Sequence, residues 1–299
     1  MLGVCVVLCQ FGLMGRIPPL RSRTRQQGNQ MAQRSFIAVT AEATLRHHGL
    51  DTFEALWNVT GEPVDEPNRA RGGTSSVTRL RLIDPDGREH RFYLKRQSNY
   101  RIRTLRRPWG ESTVAREFHN IDLCARHCIP TMEVAFFAER QFGGQLQAML
   151  LTYDLEGYRP LDEWFYQWSE LGYQRQQDLI RASAAIVARL HGCGIVHNCL
   201  YPKHVFLRPH PDGMGVRFID LEKLRAHRLS PWGRKRDLDA LNRRSPGLSR
   251  SQRLRFLLVY LDKNEVDNEV RYWVRRVMQR SAKKERKRMS ASDRPVPRR

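Results

Sequence analysis

Leu190-His-Gly-Cys-Gly-Ile-Val-His197-Asn-Cys-Leu-Tyr-Pro-Lys-His204-Val-Phe-Leu207 is the stretch on which the fold turns. An apolar helical face runs into His191, and two glycines then break it. A polar segment of the form His-x-x-Leu-x-x-x-His follows and feeds an apolar strand. Gly215-Val-Arg-Phe-Ile-Asp220 reads as a second short strand that ends on a carboxylate. Taken singly, His197 and Asp220 read as structural residues. Their order and spacing behind a long helix mark a site.

The helix before this loop spans Tyr173 to His191, with Leu179, Ala182, Ile186, Val187 and Leu190 on one face. Upstream, Met132–Ala138 and Gln145–Tyr153 are apolar strands joined across Gly143-Gly144. Ser112 to His127 has helical periodicity through Val114, Phe118, Ile121 and Cys124, and Cys128-Ile-Pro-Thr131 ends it. Thr78-Arg-Leu-Arg-Leu-Ile83 alternates like a strand, Asp84-Pro-Asp-Gly87 turns, and Arg91-Phe-Tyr-Leu-Lys95 returns as its hairpin partner. Asp51 is placed as the N-cap of a short helix to Trp57. Residues 251–280 read as helical, with Val266, Val270, Trp273, Val274 and Val277 on one stripe.

The 299 residues carry 52 Lys and Arg against 31 Asp and Glu, a formal net charge of +21. That surplus implies a polyanionic partner. Hydrophobic residues at 40% and charged residues at 28% suit a folded core and exclude wholesale disorder. No apolar run approaches the roughly 18 residues of a membrane span. The six cysteines form no CxxC pair, so a zinc site is not expected, and nothing points to an oxidising compartment. Met1 to Gly15 is apolar with no basic segment before it, unlike a signal peptide. Residues 1–30 are therefore expected to be a disordered or spurious extension ahead of Met31, and 281–299 a disordered basic tail.

This order resembles a protein-kinase-like fold: α+β and bilobal, with a β-rich N-lobe over 31–156 and a small helical C-lobe over 157–280. A strand-borne Lys95 can reach the α- and β-phosphates of ATP if a helix carboxylate holds it, and Glu117 is placed to do so. Gly72, Gly73, Thr74, Ser75 and Ser76 form a loop that either covers phosphates or is an ordinary hairpin turn.

Asn68-Arg-Ala-Arg-Gly-Gly-Thr-Ser-Ser-Val77, Tyr93-Leu-Lys-Arg-Gln97, Arg116-Glu117, Ile129-Pro-Thr131, His197 to His204, Ile219-Asp-Leu-Glu-Lys223 and Arg236-Asp-Leu-Asp239 sharpen the likeness. From about Trp57 to Asp239 the chain resembles the lipopolysaccharide core kinases, the InaA and WaaP group that includes heptose and Kdo kinases, and it is closest to the InaA branch. The resemblance implies a Gram-negative source and an ATP- and Mg²⁺-dependent kinase acting on a heptose or Kdo of the lipopolysaccharide inner core. Asp220 and His204 would bind Mg²⁺, and His197 would support the loop. Cys199 stands where most relatives have the Asp that accepts the hydroxyl proton, and a thiol is a weak base. Glu222 replaces the glycine hinge and is a substitute base or second metal ligand. The alternative is a catalytically weak pseudokinase that regulates an envelope pathway.

Arg96, Arg101, Arg103, Arg106 and Arg107 are expected near the cleft mouth, facing an anionic acceptor or simply solvated. The basic C-terminal segment, with its apolar stripe, is expected to lie on an anionic membrane surface. These readings place the protein in the cytoplasm, peripheral at the inner face of the inner membrane. No nucleic-acid motif accompanies the charge, so nucleic acid is not an expected partner.

Overall fold

The computed structural model describes residues 23–25, 33–70, 72–104, 107–226 and 231–292. Its first lobe runs through β1 (Arg23–Arg25), β2 (Gln33–Ile37), α1 (Val39–His47), α2 (Phe53–Asn58), β3 (Glu62–Pro63), β4 (Asn68–Ala70), β5 (Gly73–Ile83), β6 (Glu89–Ser98), β7 (Arg101–Thr104), β8 (Arg107–Ser112), α3 (Thr113–Arg126), β9 (Val134–Phe142) and β10 (Gln145–Tyr153). The second continues through β11 (Arg159–Pro160), α4 (Leu161–Tyr166), α5 (Tyr173–Gly192), β12 (Ile195–Val196), β13 (Val205–His210), β14 (Gly213–Phe218), β15 (Arg225–Ala226), α6 (Pro231–Arg243), α7 (Arg250–Leu261) and α8 (Asn268–Ser292). The fold is the expected α+β kinase-like one.

The large sheet is antiparallel in the order β1-β2-β9-β10-β6-β5-β3, with β4 also paired to β5. Strand alternation sends successive side chains to opposite faces. Phe136 joins Leu45, Phe53, Phe92 and Leu94 beneath α1 and α2. Phe137 faces the other way and stacks on Phe118 of α3, with ring centroids 4.2 Å apart. The core under α3 is continuous with Leu190, Phe218, Leu221 and Leu224 of the second lobe. The β5–β6 hairpin forms where expected. Its turn is closed by Asp84 Oδ1, which accepts from the backbone N–H of Asp86 at 2.9 Å and of Arg88 at 2.8 Å.

Several local expectations are corrected. The side chain of Thr52, not Asp51, caps α2 by accepting from the Ala55 N–H. Residues 251–280 are two helices, because Asp262 takes a left-handed φ of 54° and closes α7. The Asp267 side chain then accepts from the Val270 N–H to start the next helix. Residues 281–292, expected in a disordered tail, continue α8, where Ala, Lys, Glu, Arg and Met favour helix. Residues 293–299 lie outside the described residues. Of the N-terminal extension, Arg23–Arg25 are described and pair with β2. The stripe expected to face a membrane is turned inward instead: Val270 and Trp273 are buried in the core. No helix of the described residues is long and apolar enough to cross a membrane.

Candidate active site

Lys95 and Glu117 meet because one strand and one helix are fixed to each other just beside them. Gln97 lies two residues after Lys95 and so shares its face of β6. Its amide accepts from the Val114 N–H at 3.2 Å and donates to Thr113 Oγ1 at 2.7 Å, pinning the start of α3. One turn on, Glu117 Oε2 accepts from Lys95 Nζ at 2.9 Å. Glu117 Oε1 accepts from the Leu221 N–H at 3.3 Å, tying this pair to the segment after Asp220. Burial alone would lower the Lys95 pKa, but Glu117, Glu222 and Asp220 outweigh it and hold the ammonium above its ordinary range. The result is a fixed cation at the lobe junction.

The loop from His197 to His204 hangs from one helix carboxylate. Asp237 of α6 is fully buried, and its Oδ2 accepts from the His197 N–H at 2.7 Å. Its Oδ1 accepts from the Asn198 N–H at 2.9 Å. His191 Nε2 lies 3.3 Å from the same carboxylate, and His191 Nδ1 lies 2.9 Å from the Tyr260 hydroxyl. His197 Nε2 donates to the Ile219 carbonyl at 3.1 Å, which joins the loop to the strand before Asp220. Asp220 itself has a left-handed φ of 56°, a conformation uncommon outside Gly, Asn and Asp.

His204 and Asp220 form the second half of the site. His204 Nδ1 donates to the Cys199 carbonyl at 2.8 Å, a tautomer assigned from that acceptor. Burial lowers the His204 pKa, against the opposing pull of Asp220. The neutral ring therefore turns the lone pair of Nε2 toward Asp220 Oδ2, 3.5 Å away. Two acceptors facing each other across a partly exposed gap suit a shared cation. Among the described residues, no three His, Cys, Asp or Glu side chains form a metal cage. Of the two expected ligands, the Asp220 carboxylate is the kind of donor Mg²⁺ takes, usually alongside substrate phosphates and water, whereas the His204 imidazole is a softer donor than Mg²⁺ prefers.

The glycine-containing segment is a tight β4–β5 hairpin, and the register divides its residues. Ser75 opposes Gln97 and Val77 opposes Lys95, so Ser75 shares the Lys95 face. Thr74 and Ser76 fall on the opposite face. Gly72 is at the turn with φ 75°. Gly73 has Ser98 O only 2.2 Å from where a Cβ would stand, so glycine is needed for the close approach. Of the five residues expected in this loop, Gly72 and Gly73 make the turn, and Ser75 is the one hydroxyl on the Lys95 face. Arg96 also leaves the cleft face: its Nε donates to the Leu56 carbonyl at 3.1 Å beneath α2. Arg106 and the Arg107 side chain lie outside what is described.

Cys199 is buried at the middle of the loop. The Lys223 ammonium is lowered by burial but raised more by Cys199 and Glu222, so a cation stands beside the thiol. Lys223 is held there by its own carbonyl, which accepts from Asn198 Nδ2 at 2.8 Å. Sequence reasoning placed Lys95, Glu117, Cys199, His204 and Asp220 together and missed the roles of Asp237, Tyr260 and Lys223. A signal for Asp237 existed in Arg236-Asp-Leu-Asp239, two carboxylates in a helix that both end fully buried.

Comparison with known proteins agrees with this geometry. Residues 54–260 match the lipopolysaccharide kinase (Kdo/WaaP) family. Protein InaA of Escherichia coli (strain K12) is 27% identical over 177 residues, covering 58% of this chain and 79% of that protein. The solved structure of WaaP in complex with acyl carrier protein superposes with a TM-score of 0.61 at 23% identity, over 85% of this chain and 98% of that one.

Proposed function

The chain belongs to the lipopolysaccharide kinase (Kdo/WaaP) family, and from that premise we propose that it uses ATP to phosphorylate a heptose or Kdo hydroxyl of the lipopolysaccharide inner core. The observation that carries this reading is the Lys95–Glu117 ion pair, joined through the Leu221 N–H to the Asp220–His204 pair. Lys95 neutralises the α- and β-phosphates of the nucleotide, and Glu117 keeps it from turning away. Gly72, Gly73 and Ser75 lie over the phosphates. Asp220, with His204 beside it, would hold Mg²⁺. Bound there, Mg²⁺ supplies charge neutralisation for the transferring phosphoryl group.

Cys199 occupies the position from which a base would orient the sugar hydroxyl. A largely dissociative transition state asks mainly for positioning and charge neutralisation, so a weak base there slows transfer without abolishing it. The same residue favours the second reading, a nucleotide-binding regulator of an envelope pathway. Transfer of labelled γ-phosphate from ATP to core lipopolysaccharide stripped of its phosphates separates the two, with Asp220→Ala as control. We expect label in the lipid fraction with the native chain and none with the variant. No label from a chain that still binds ATP with Mg²⁺ would leave the regulator.

The partner of the solved relative also has a place to act. Away from the cleft, Phe165, Trp168, Leu179, Ile180, Leu241 and Leu257 line an apolar cavity of about 570 Å³ between α4, α5, α6 and α7. That chemistry suits an acyl chain delivered by a carrier protein. Acyl-loaded carrier should bind at least tenfold tighter than unloaded carrier, and Ile180→Trp should erase the difference by filling the cavity.

A further inference from the structure

We propose that the face formed by the start of α6 and the first half of α8 is the surface by which this protein sits on an anionic phospholipid bilayer. This deepens the kinase reading and rests on it for the purpose of the contact.

Two aromatic side chains stand out of that face. Trp232 is 67% exposed and Tyr272 is 43% exposed. Both are braced by cations. Arg276 lies 5.9 Å from the Trp232 ring and 5.5 Å from the Tyr272 ring, and Lys235 lies 5.6 Å from the Trp232 ring. Together with Trp273 these residues line a shallow depression. Arg280 and Lys283 extend the charge along α8, since positions 272, 276, 280 and 283 recur at helical spacing. The carboxylate beneath the face, Asp239, is already taken. It is buried, and it accepts from Arg243 at 3.0 Å and Ser281 at 2.7 Å and pairs with Arg280 at 3.2 Å. Burial first, then Arg276, Arg280 and Lys283, lower the Lys235 pKa, with Asp239 alone opposing. Asp239 answers Arg280, and among the described residues Lys235, Arg276 and Lys283 have no ion-pair partner, which leaves the face net positive.

Charge complementarity selects a polyanion, and the aromatic pair selects which one. Tyr and Trp join an apolar body to a polar edge and favour the headgroup level of a bilayer. Basic residues just outside them meet acidic headgroups. The place also suits the reaction. Gly233 packs against Val196, where an added Cβ would come within 2.6 Å of its side chain. Val196 immediately precedes His197, and Asp237 holds the loop from the next turn of the same helix. A bilayer docked on α6 thus lies beside the loop that would receive a membrane-anchored sugar.

Co-sedimentation of the full chain with vesicles tests this without ATP. Vesicles of phosphatidylcholine mixed with phosphatidylglycerol should carry the chain down, and phosphatidylcholine alone should not. Lys235→Glu with Arg276→Glu, and separately Trp232→Ala with Tyr272→Ala, should each weaken binding about tenfold or more while thermal melting stays near that of the native chain. Arg81→Glu with Arg88→Glu removes equal charge from the far hairpin and should leave binding intact. An equal loss from that remote pair would overturn the proposal, as would binding that survives both α6–α8 variants, or tight DNA binding that depends on Trp232. Vesicle binding without phosphate transfer would count against the kinase reading alone, and transfer without vesicle binding against this face alone.

Discussion

Glu117 occupies a buried position of α3 between Val114 and Ile121, where an unpaired carboxylate would be costly. Lys95 and the Leu221 N–H satisfy both of its oxygens. We therefore expect Lys95→Met to reduce phosphate transfer by about 10²- to 10³-fold, as loss of one preorganised charge commonly does. Glu117→Gln should act in the same direction through a freed Lys95, and labelled-phosphate assays read both. On the proposed kinase reading, Cys199→Asp should raise the transfer rate, since it would put a carboxylate where the acceptor hydroxyl is proposed to arrive. A fall in rate would show that a carboxylate at this position does not assist transfer. The strand Lys and helix Glu were legible in the sequence from their order. Lys223 was not, because its approach to Cys199 depends on a hydrogen bond from the Asn198 side-chain amide to the Lys223 carbonyl across the loop.

At the level of elements, the His197–His204 loop has little regular structure and depends on α6 to hold it. Asp237→Ala removes the acceptor for two backbone N–H groups and one imidazole, with the His197 N–H and the His191 ring fully buried. It should cost about 3–5 kcal/mol in denaturant unfolding, the range for breaking a buried charged network. Phe118→Ala, which opens the stack on Phe137, should cost about 3–5 kcal/mol by leaving a core cavity. The helix stripes and the β5–β6 hairpin were readable because periodicity survives in the sequence. The break between α7 and α8 was not, since Lys263-Asn-Glu-Val-Asp267 contains no Gly or Pro and Asp262 supplies the left-handed turn. The division of Thr74, Ser75 and Ser76 between two faces required the register against β6.

For the molecule as a whole, buried histidines link stability to pH. His197 is fully buried, and burial, only partly opposed by Asp237, lowers its pKa from 6.5. His204 shifts the same way. Below the ordinary histidine range the unfolded chain binds protons that the folded chain refuses, so stability is present above about pH 6.5 and is lost as pH falls. Melting temperatures between about pH 7.5 and 5.5 should drop more steeply for the native chain than for His197→Gln. Equal slopes would place the acid sensitivity elsewhere. The global charge of +21 was plain from composition, yet composition said nothing about where it acts. The structure leaves Arg276, Lys235 and Trp232 on one face and turns Val270 and Trp273 into the core.

The sequence by itself determined the fold class, the long α5 helix, the β5–β6 hairpin and the chemical order of Lys95, Glu117, His204 and Asp220. Each is written in local periodicity or in linear spacing. Only the tertiary structure decided which hydroxyls face the cleft, that Asp237 suspends the loop, and that the C-terminal apolar stripe closes a core. Those outcomes depend on which surfaces meet, and contacts between residues far apart in the chain leave no periodic trace in it.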